Sequence, residues 1–289
     1  MNIAFNNGCE IPKIGLGTYR LKGDQVRKLV YDAVVLGYRH IDTAAVYKNE
    51  REIGLALTDL FQNGVVNRSE LFITSKIQPK DMGYVKTKKA VEESLHNLNL
   101  EYLDLMLVHW PGTQKLKFDN PKNKINRIES VTALMEFRKD DVLKAVGVSN
   151  FNVNHFQGVE DCSIQLNQIE FHPLLWCEKT AEIVEYCQKR DIVIGGYSCL
   201  GEGKLLESEK FPELSKIALE TGYSIAQVLI AWALAKGCVV TPKASTIERL
   251  KENIRATEIR LSQSHMLMLD NLSTKYGVTK YCWDSTNIA

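Results

Sequence analysis

The sequence predicts an α/β protein folded as a closed parallel (β/α)8 barrel. Three observations carry that expectation. Short apolar strands alternate with helical patterns eight times, no low-complexity linker divides the chain, and three successive strands finish on ionisable residues. Regular strand and helix alternation builds a parallel sheet with its helices outside. A chain of 289 residues with 45% hydrophobic side chains can bury a barrel-sized core as one domain spanning 1–289.

Each element follows in turn. Segments 3–5 and 9–12 flank Asn6, Asn7 and Gly8, and Asn-Gly between apolar runs is a hairpin signal. The strand IGLG (14–17) leads to a helical pattern over 24–36, RHID (39–42) to 50–62, LFITS (71–75) to 84–98, and YLDLMLV (102–108) to about 127–140. The second half repeats the rhythm: LKAVGVS (143–149) precedes 152–160, SIQLNQIE (163–170) precedes 178–190, IVIGGYS (192–198) precedes about 212–235, and CVVT (238–241) precedes 247–255. Segment 112–126, rich in Gly, Asn and Lys, reads as a long loop after the fourth strand.

The stretch GYRHIDTAAVYKNE (37–50) stops an apolar run at Asp42 and offers Tyr47 five residues later. LFITS ends at Lys76 and YLDLMLV ends at His109. Barrel active sites are assembled from C-terminal strand ends and the loops that follow, so Asp42, Tyr47, Lys76 and His109 are candidates for one site. Taken singly, a charged strand end is more often a structural ion pair, and a lone Tyr or His more often packing. His40 and Asp42 form an H-x-D pair of the kind found in barrel metal sites, but no downstream His and carboxylate set accompanies it, so no metal is expected. His40 is assigned to packing or hydrogen bonding.

Lys and Arg total 36 against 35 Asp and Glu, which gives no global electrostatic case for nucleic acid or an anionic membrane. Any anion site is therefore local. The seven cysteines show no C-x-x-C pair or framework, so a reducing, cytoplasmic setting is expected rather than disulfides. The segment MNIAFNNGCEIP lacks a signal-like pattern, and nothing approaches the roughly 18 apolar residues of a membrane span.

The blocks IGLGTYR (14–20), GYRHIDTAAVYKNEREIG (37–54), ITSK (73–76), LVHWPG (107–112), VGVSNF (146–151), NQIEFHP (167–173) and TPKASTIERLKEN (241–253) span nearly the whole chain. In kind and in order they resemble the signatures of the aldo-keto reductase family. The resemblance implies a (β/α)8 TIM barrel, an N-terminal β-hairpin closing its bottom, an extra C-terminal helix over 262–275, and the tail YCWDSTNIA lying over the barrel. It also implies NADPH-dependent reduction of aldehydes or ketones by a monomer acting on a small-molecule carbonyl substrate. The joint match of all four strand-end residues favours chemistry over their separate structural readings.

Carbonyl reduction needs a hydride at carbon, a proton at oxygen and stabilisation of the oxyanion between. A free Tyr, with a pKa of about 10, gives up its proton too reluctantly near neutrality. A Lys cation beside it favours the phenolate, and a buried carboxylate beside that Lys favours the cation. Asp42, Lys76 and Tyr47 can form this relay, with Tyr47 as general acid. A neutral His109 would orient the carbonyl by donating to it.

A G-x-G-x-x-G fingerprint is absent, so a Rossmann cofactor site lacks its main signal. Within the resemblance, Ser149, Asn150 and Gln168 match positions that hold the nicotinamide carboxamide, and Tyr197 matches the aromatic face under its ring. YSCLGEGKL (197–205) resembles the pyrophosphate-covering segment, with Ser198, Leu200 and Lys204 as phosphate neighbours and Gly201 and Gly203 permitting close approach. Lys243 can meet the adenosine 2′-phosphate, Thr246 starts a helix, Arg249 covers adenine or pairs with phosphate, and Glu252 with Asn253 addresses the adenine edge. Ala244 replaces a Ser common in the family, for which Ser245 can compensate.

Tyr19, Val46 and Trp110 match apolar substrate-pocket positions. Gln78 stands where many members carry Trp, opening or polarising one wall that Trp283 can refill. Small aldehydes, aromatic ones included, are expected substrates, ahead of open-chain sugars and bulky steroid ketones. Two other readings are a nucleotide-sensing or structural protein on the same scaffold, separated by a turnover assay, and a metal-dependent barrel hydrolase or isomerase, separated by metal analysis.

Overall fold

The computed structural model describes residues 2–289. Strands β1 (Asn2–Ala4) and β2 (Glu10–Pro12) pair antiparallel as a hairpin, turning through Gly8 at φ 85°. The barrel strands are β3 (Leu16–Gly17), β4 (His40–Asp42), β5 (Phe72–Ile77), β6 (Leu103–Val108), β7 (Leu143–Ser149), β8 (Leu166–Glu170), β9 (Val193–Tyr197) and β10 (Val239–Val240). Every neighbouring pair is parallel and the order follows the chain. The sheet closes where Ile14 and Gly17 bridge to Val240 and Lys243, with Gly15 N donating to Val240 O at 2.8 Å. Eight parallel strands closed in this way form a TIM barrel, the fold class the alternation predicts.

Around it run α1 (Gly23–Val35), α2 (Glu50–Gln62), α3 (Tyr84–Leu98), α4 (Lys122–Lys139), α5 (Glu178–Gln188), α6 (Pro212–Thr221), α7 (Ile225–Ala235), α8 (Ile247–Arg255), α9 (Gln263–Asp270) and α10 (Leu272–Tyr276). Among the described residues no single helix is long and apolar enough to cross a membrane.

Strand side chains alternate faces, which sorts the barrel into two cores. Ile73, Met106, Val108, Val146 and Val148 point outward into the layer beneath the helices. Phe72, Leu105, Leu107, Ala145 and Leu166 point inward, where Phe5 and Ile11 of the hairpin join them and plug the N-terminal end. Asn6 and Asn7 stitch the plug down by donating to Ile164 O at 3.0 Å and Lys144 O at 2.9 Å. The same inward parity, carried to the other end, reaches Asp42, Lys76, His109, Ser149, Gln168 and Tyr197.

Several expected elements differ. Segment 152–160 is a short 3-10 turn, Val153–Phe156, because His155 and Phe156 are buried and Gly158 at φ 88° ends the turn. The expected helix over 212–235 is two helices bent by 90°, broken at Gly222 (φ 73°) and restarted by Ser224, whose hydroxyl accepts from Gln227 N. Segment 262–275 likewise divides into α9 and α10 at Asn271. Helix α4 starts at Lys122, shortening the expected loop over 112–126.

Candidate active site

Asp42 ends β4, Tyr47 closes the 3-10 turn Ala45–Tyr47, Lys76 lies in β5, and His109 directly follows β6. All four meet at the C-terminal mouth. Lys76, with no exposed side-chain surface, donates to Asp42 Oδ1 at 2.6 Å and Thr43 O at 2.8 Å. Its Nζ is 5.1 Å from the centroid of the Tyr47 ring, and Tyr47 meets His109 edge-on at 5.8 Å. Gln168 Nε2 donates to the second Asp42 oxygen at 2.8 Å. Below them His40, buried, shares a 3.0 Å hydrogen bond with Thr74 Oγ1 and meets Phe72 edge-on. Among the described residues no three His, Cys, Asp or Glu side chains gather as a metal-binding set.

Electrostatics correct one expectation. Lys76 was to lower the Tyr47 phenol. Burial, reinforced by the Asp42 charge, instead raises it well above its ordinary value, although solvent still reaches part of the ring. Burial also pushes Lys76 down, against the opposing pull of Asp42. Its charge is engaged by that carboxylate rather than offered wholly to the phenol. Tyr47 therefore keeps its proton at neutrality, the form a proton donor requires. Burial, with the Lys76 charge behind it, drives His109 well below its ordinary value, so the imidazole is neutral.

At the ends of β7 and β8, Ser149 Oγ donates to Gln168 O at 2.8 Å. Asn150, at φ 63°, donates to His109 O and accepts from the Tyr197 hydroxyl at 2.6 Å. Polar groups of three strands thus converge beside Tyr47. Across the mouth, Ser198 donates to Glu202 at 2.6 Å, and Glu202 pairs with Arg20 at 3.2 Å. Leu200 opens the turn Gly201–Leu206, while exposed Lys204 pairs with Glu207 at 3.4 Å. Farther out, Thr246 caps α8 by accepting from Arg249 N, and Ser245 Oγ accepts from the Arg249 side chain at 3.1 Å. Among the described residues neither Lys243 nor Arg249 has a carboxylate partner, whereas Asn253 is buried and Glu252 half-buried.

Tyr19, half exposed, lies 5.0 Å from Tyr47, with exposed Val46 beside them. Trp110 stacks on His109 and meets Trp283 edge-on at 4.5 Å. Behind that pair opens a mainly apolar cavity of ≈380 Å³, lined by Pro79, Phe118 and Ile288 among others. Gln78 is half-buried next to Pro79. Trp283 packs against Trp110 and Phe118. A second cavity, ≈440 Å³, lies at the opposite end beside the hairpin, away from these groups.

Sequence reasoning passed over Glu170 and the residues that bind it. Its buried carboxylate takes Lys280 Nζ at 2.9 Å, Tyr281 N at 2.7 Å, Cys282 N at 3.2 Å and His172 Nε2 at 3.0 Å. Burial pushes this carboxyl up, but the hydrogen bonds from His172, Lys280 and Tyr281, with the Lys280 charge, outweigh it and hold the group at about 2. Its period-two spacing from Gln168 on β8 was the available signal.

Residues 13–274 match the model of the aldo/keto reductase family. The chain is similar to glyoxal reductase of Bacillus subtilis, 39% identical over 94% of this chain and 92% of that protein. It is similar also to the NADP-dependent D-sorbitol-6-phosphate dehydrogenase of Malus domestica, 31% identical over 95% of this chain and 94% of that protein. A crystal structure of an aldo-keto reductase from a Medee basin deep-sea metagenome library superposes with a TM-score of 0.86 at 33% identity, covering 99% of both chains.

Proposed function

This chain belongs to the aldo/keto reductase family, and from that premise we propose that it reduces small aldehydes and ketones with NADPH, Tyr47 supplying the proton. The family's chemistry is carbonyl reduction by an oxidoreductase. The observation that carries the finer reading is the convergence of Tyr47 with the Lys76–Asp42 pair and a neutral His109 at one barrel mouth.

The residues fit the cofactor by the chemistry of their donors. Two cations without carboxylate partners flank the N-terminus of α8, an arrangement suited to a phosphate. Lys243, Arg249, Ser245 and Thr246 would hold the 2′-phosphate, with Glu252 and Asn253 at the adenine. Ser198, Leu200 and Lys204 would cover the pyrophosphate. Ser149, Asn150 and Gln168 would hold the carboxamide, with the Tyr197 ring against the nicotinamide. When bound, the reduced nicotinamide supplies the hydride.

The chain's own residues supply the rest. The neutral His109 ring offers an N–H to the carbonyl oxygen and orients it. Tyr47 releases its proton as charge develops on that oxygen, and the phenolate left behind faces the Lys76 cation. Asp42 fixes Lys76 in place. Trp110, Tyr19 and Val46 give the substrate an apolar wall. The small-aldehyde reading draws on the name of the Bacillus relative, and the cofactor reading on that of the Malus relative.

Tyr47→Phe tests the assignment. Removing the phenolic proton should lower kcat for an aromatic aldehyde by about 10²–10⁴-fold, while NADPH affinity, read by fluorescence titration, stays nearly constant. Turnover close to wild type would exclude Tyr47 as the donor.

A further inference from the structure

Tail residues 280–283 touch two regions that the proposed function treats as separate. Tyr281 lies so close to Gly201 that a Cβ there would come within 2.9 Å of the Tyr281 ring. Cys282 Sγ is 3.5 Å from Ser198 Oγ. Both contacts fall on the loop assigned to the cofactor pyrophosphate. The next residue, Trp283, packs edge-on against Trp110 of the substrate wall at 4.5 Å. Consecutive residues thus reach from one region to the other.

Glu170 sets the position of this segment. Each carboxylate oxygen takes two donors, and two of the four are the successive main-chain amides of Tyr281 and Cys282. Binding consecutive amides fixes the path of the backbone, and with it the directions of the side chains at 281 to 283. A separate set of contacts pins the far side of Trp283. Ser285 Oγ donates to Asn150 O at 2.7 Å, His155 Nε2 lies 2.9 Å from Ile288 O, and Arg127 donates to Ala289 O at 2.6 Å. The tail is therefore a strap held at both ends, with Trp283 between.

We propose that Glu170 is a positioning residue that couples the cofactor-covering loop to the substrate wall by holding 280–282, so that Tyr281 and Cys282 lie against the loop and the following Trp283 against the wall. The functional names of the two regions rest on the reading above; the mechanical link does not. Opening the loop at Ser198 and Gly201 displaces Tyr281 and Cys282, and this carries Trp283 off Trp110. Cofactor exchange and substrate selectivity are consequently joined through a residue that touches neither ligand.

Glu170→Gln removes the charge and nearly keeps the volume. Hydrogen exchange is measured first on the protein without ligands, for peptides covering 198–206 and 279–285. Both should exchange faster in the variant. Stopped-flow release of NADPH should quicken and KM for an aromatic aldehyde should rise, each by about tenfold, within the range of coupling between touching residues. Turnover of a small aliphatic aldehyde should change far less. Adding Trp283→Ala to Glu170→Gln should raise the aromatic KM no further, because the variant has already displaced that ring.

Faster exchange confined to 279–285 would overturn the coupling, and unaltered exchange in both peptides would overturn the clamp. Equal loss on aromatic and aliphatic aldehydes would mean a general structural defect. Should Glu170→Gln fail to fold, Tyr281→Ala cuts the link at Gly201 while leaving the carboxylate and its main-chain donors, and should loosen 198–206 alone. If the wild-type protein turned over no aldehyde with NADPH, the proposed function would fall, and the ligand-free exchange experiment would still decide the clamp.

Discussion

Gln78 is half-buried at the start of the turn Pro79–Asp81, beside a cavity whose wall includes Pro79, Trp110 and Trp283. Its amide stands one residue before Pro79, which lines that mainly apolar space. Gln78→Trp should improve kcat/KM for aromatic aldehydes by about 1 kcal/mol of added apolar contact, with little gain for sugars. Equal gains on both classes, or none, would contradict the pocket assignment. The candidate residues were legible where a titratable side chain ends an apolar strand, as Asp42 and His109 do. The Tyr47 environment was not, because burial outweighs the nearby Lys76 charge, and burial is a property of the closed mouth. Glu170 was hidden for another reason. Besides His172, its partners lie 110 to 112 residues away and two of them are backbone amides, contacts that the period-two spacing on β8 does not encode.

Helix α8 illustrates what an element contributes beyond its side chains. Its first-turn N–H groups and positive dipole end face the same region as Lys243 and Arg249, the arrangement that favours anions. Replacing both cations by Ala should weaken NADPH binding by about 1–3 kcal/mol per charge-assisted contact and NADH binding far less. Equal weakening of the two would show that selectivity lies elsewhere. Helix α7 makes a purely structural case. Ser224 accepts from Gln227 N, and Gln227 Oε1 accepts from Ser224 N at 3.1 Å. Ser224→Ala should cost about 1 kcal/mol, read by urea unfolding, and an unchanged midpoint would dismiss the cap. The same box is the signal that the sequence pattern over 212–235 contained: Gly222 ends one helix and Ser224-x-x-Gln227 begins another. Apolar residues continue on both sides, so periodicity alone ran them together. The eight strand positions were legible because buried parallel strands are apolar runs; β3 and β10 proved shorter, since only part of each run enters the ladder.

The protein as a whole should be sensitive to acid. Burial holds His40 and His155 at about 4, below their ordinary 6.5, and His155 keeps its neutral ring against Ile288 O. Between those values the unfolded chain binds protons that the folded one does not, so stability rises with pH across that window and is complete above it. Falling from pH 6.5 toward 4 should cost up to roughly 3 kcal/mol per histidine. Glu170, held at about 2 against an ordinary 4.5, adds a further loss below pH 4.5. Urea unfolding at pH 7 and pH 5 checks the histidine contribution, which His155→Gln should diminish. A flat profile over that interval would refute it.

The closure of β3 against β10 has one more consequence. An open sheet ends in rows of unpaired amide and carbonyl groups, ready to recruit strands from other molecules. Here Gly15 N meets Val240 O, Val240 N meets Lys13 O, and Gly17 N meets Pro242 O, so the large sheet has no border to offer. Among the described strands, free borders remain only on the hairpin. Its strands are three residues long, one carries Glu10, and Pro12 has no amide hydrogen to donate. The folded molecule is therefore a poor template for cross-β stacking, and aggregation on heating has to begin from chains that have already opened.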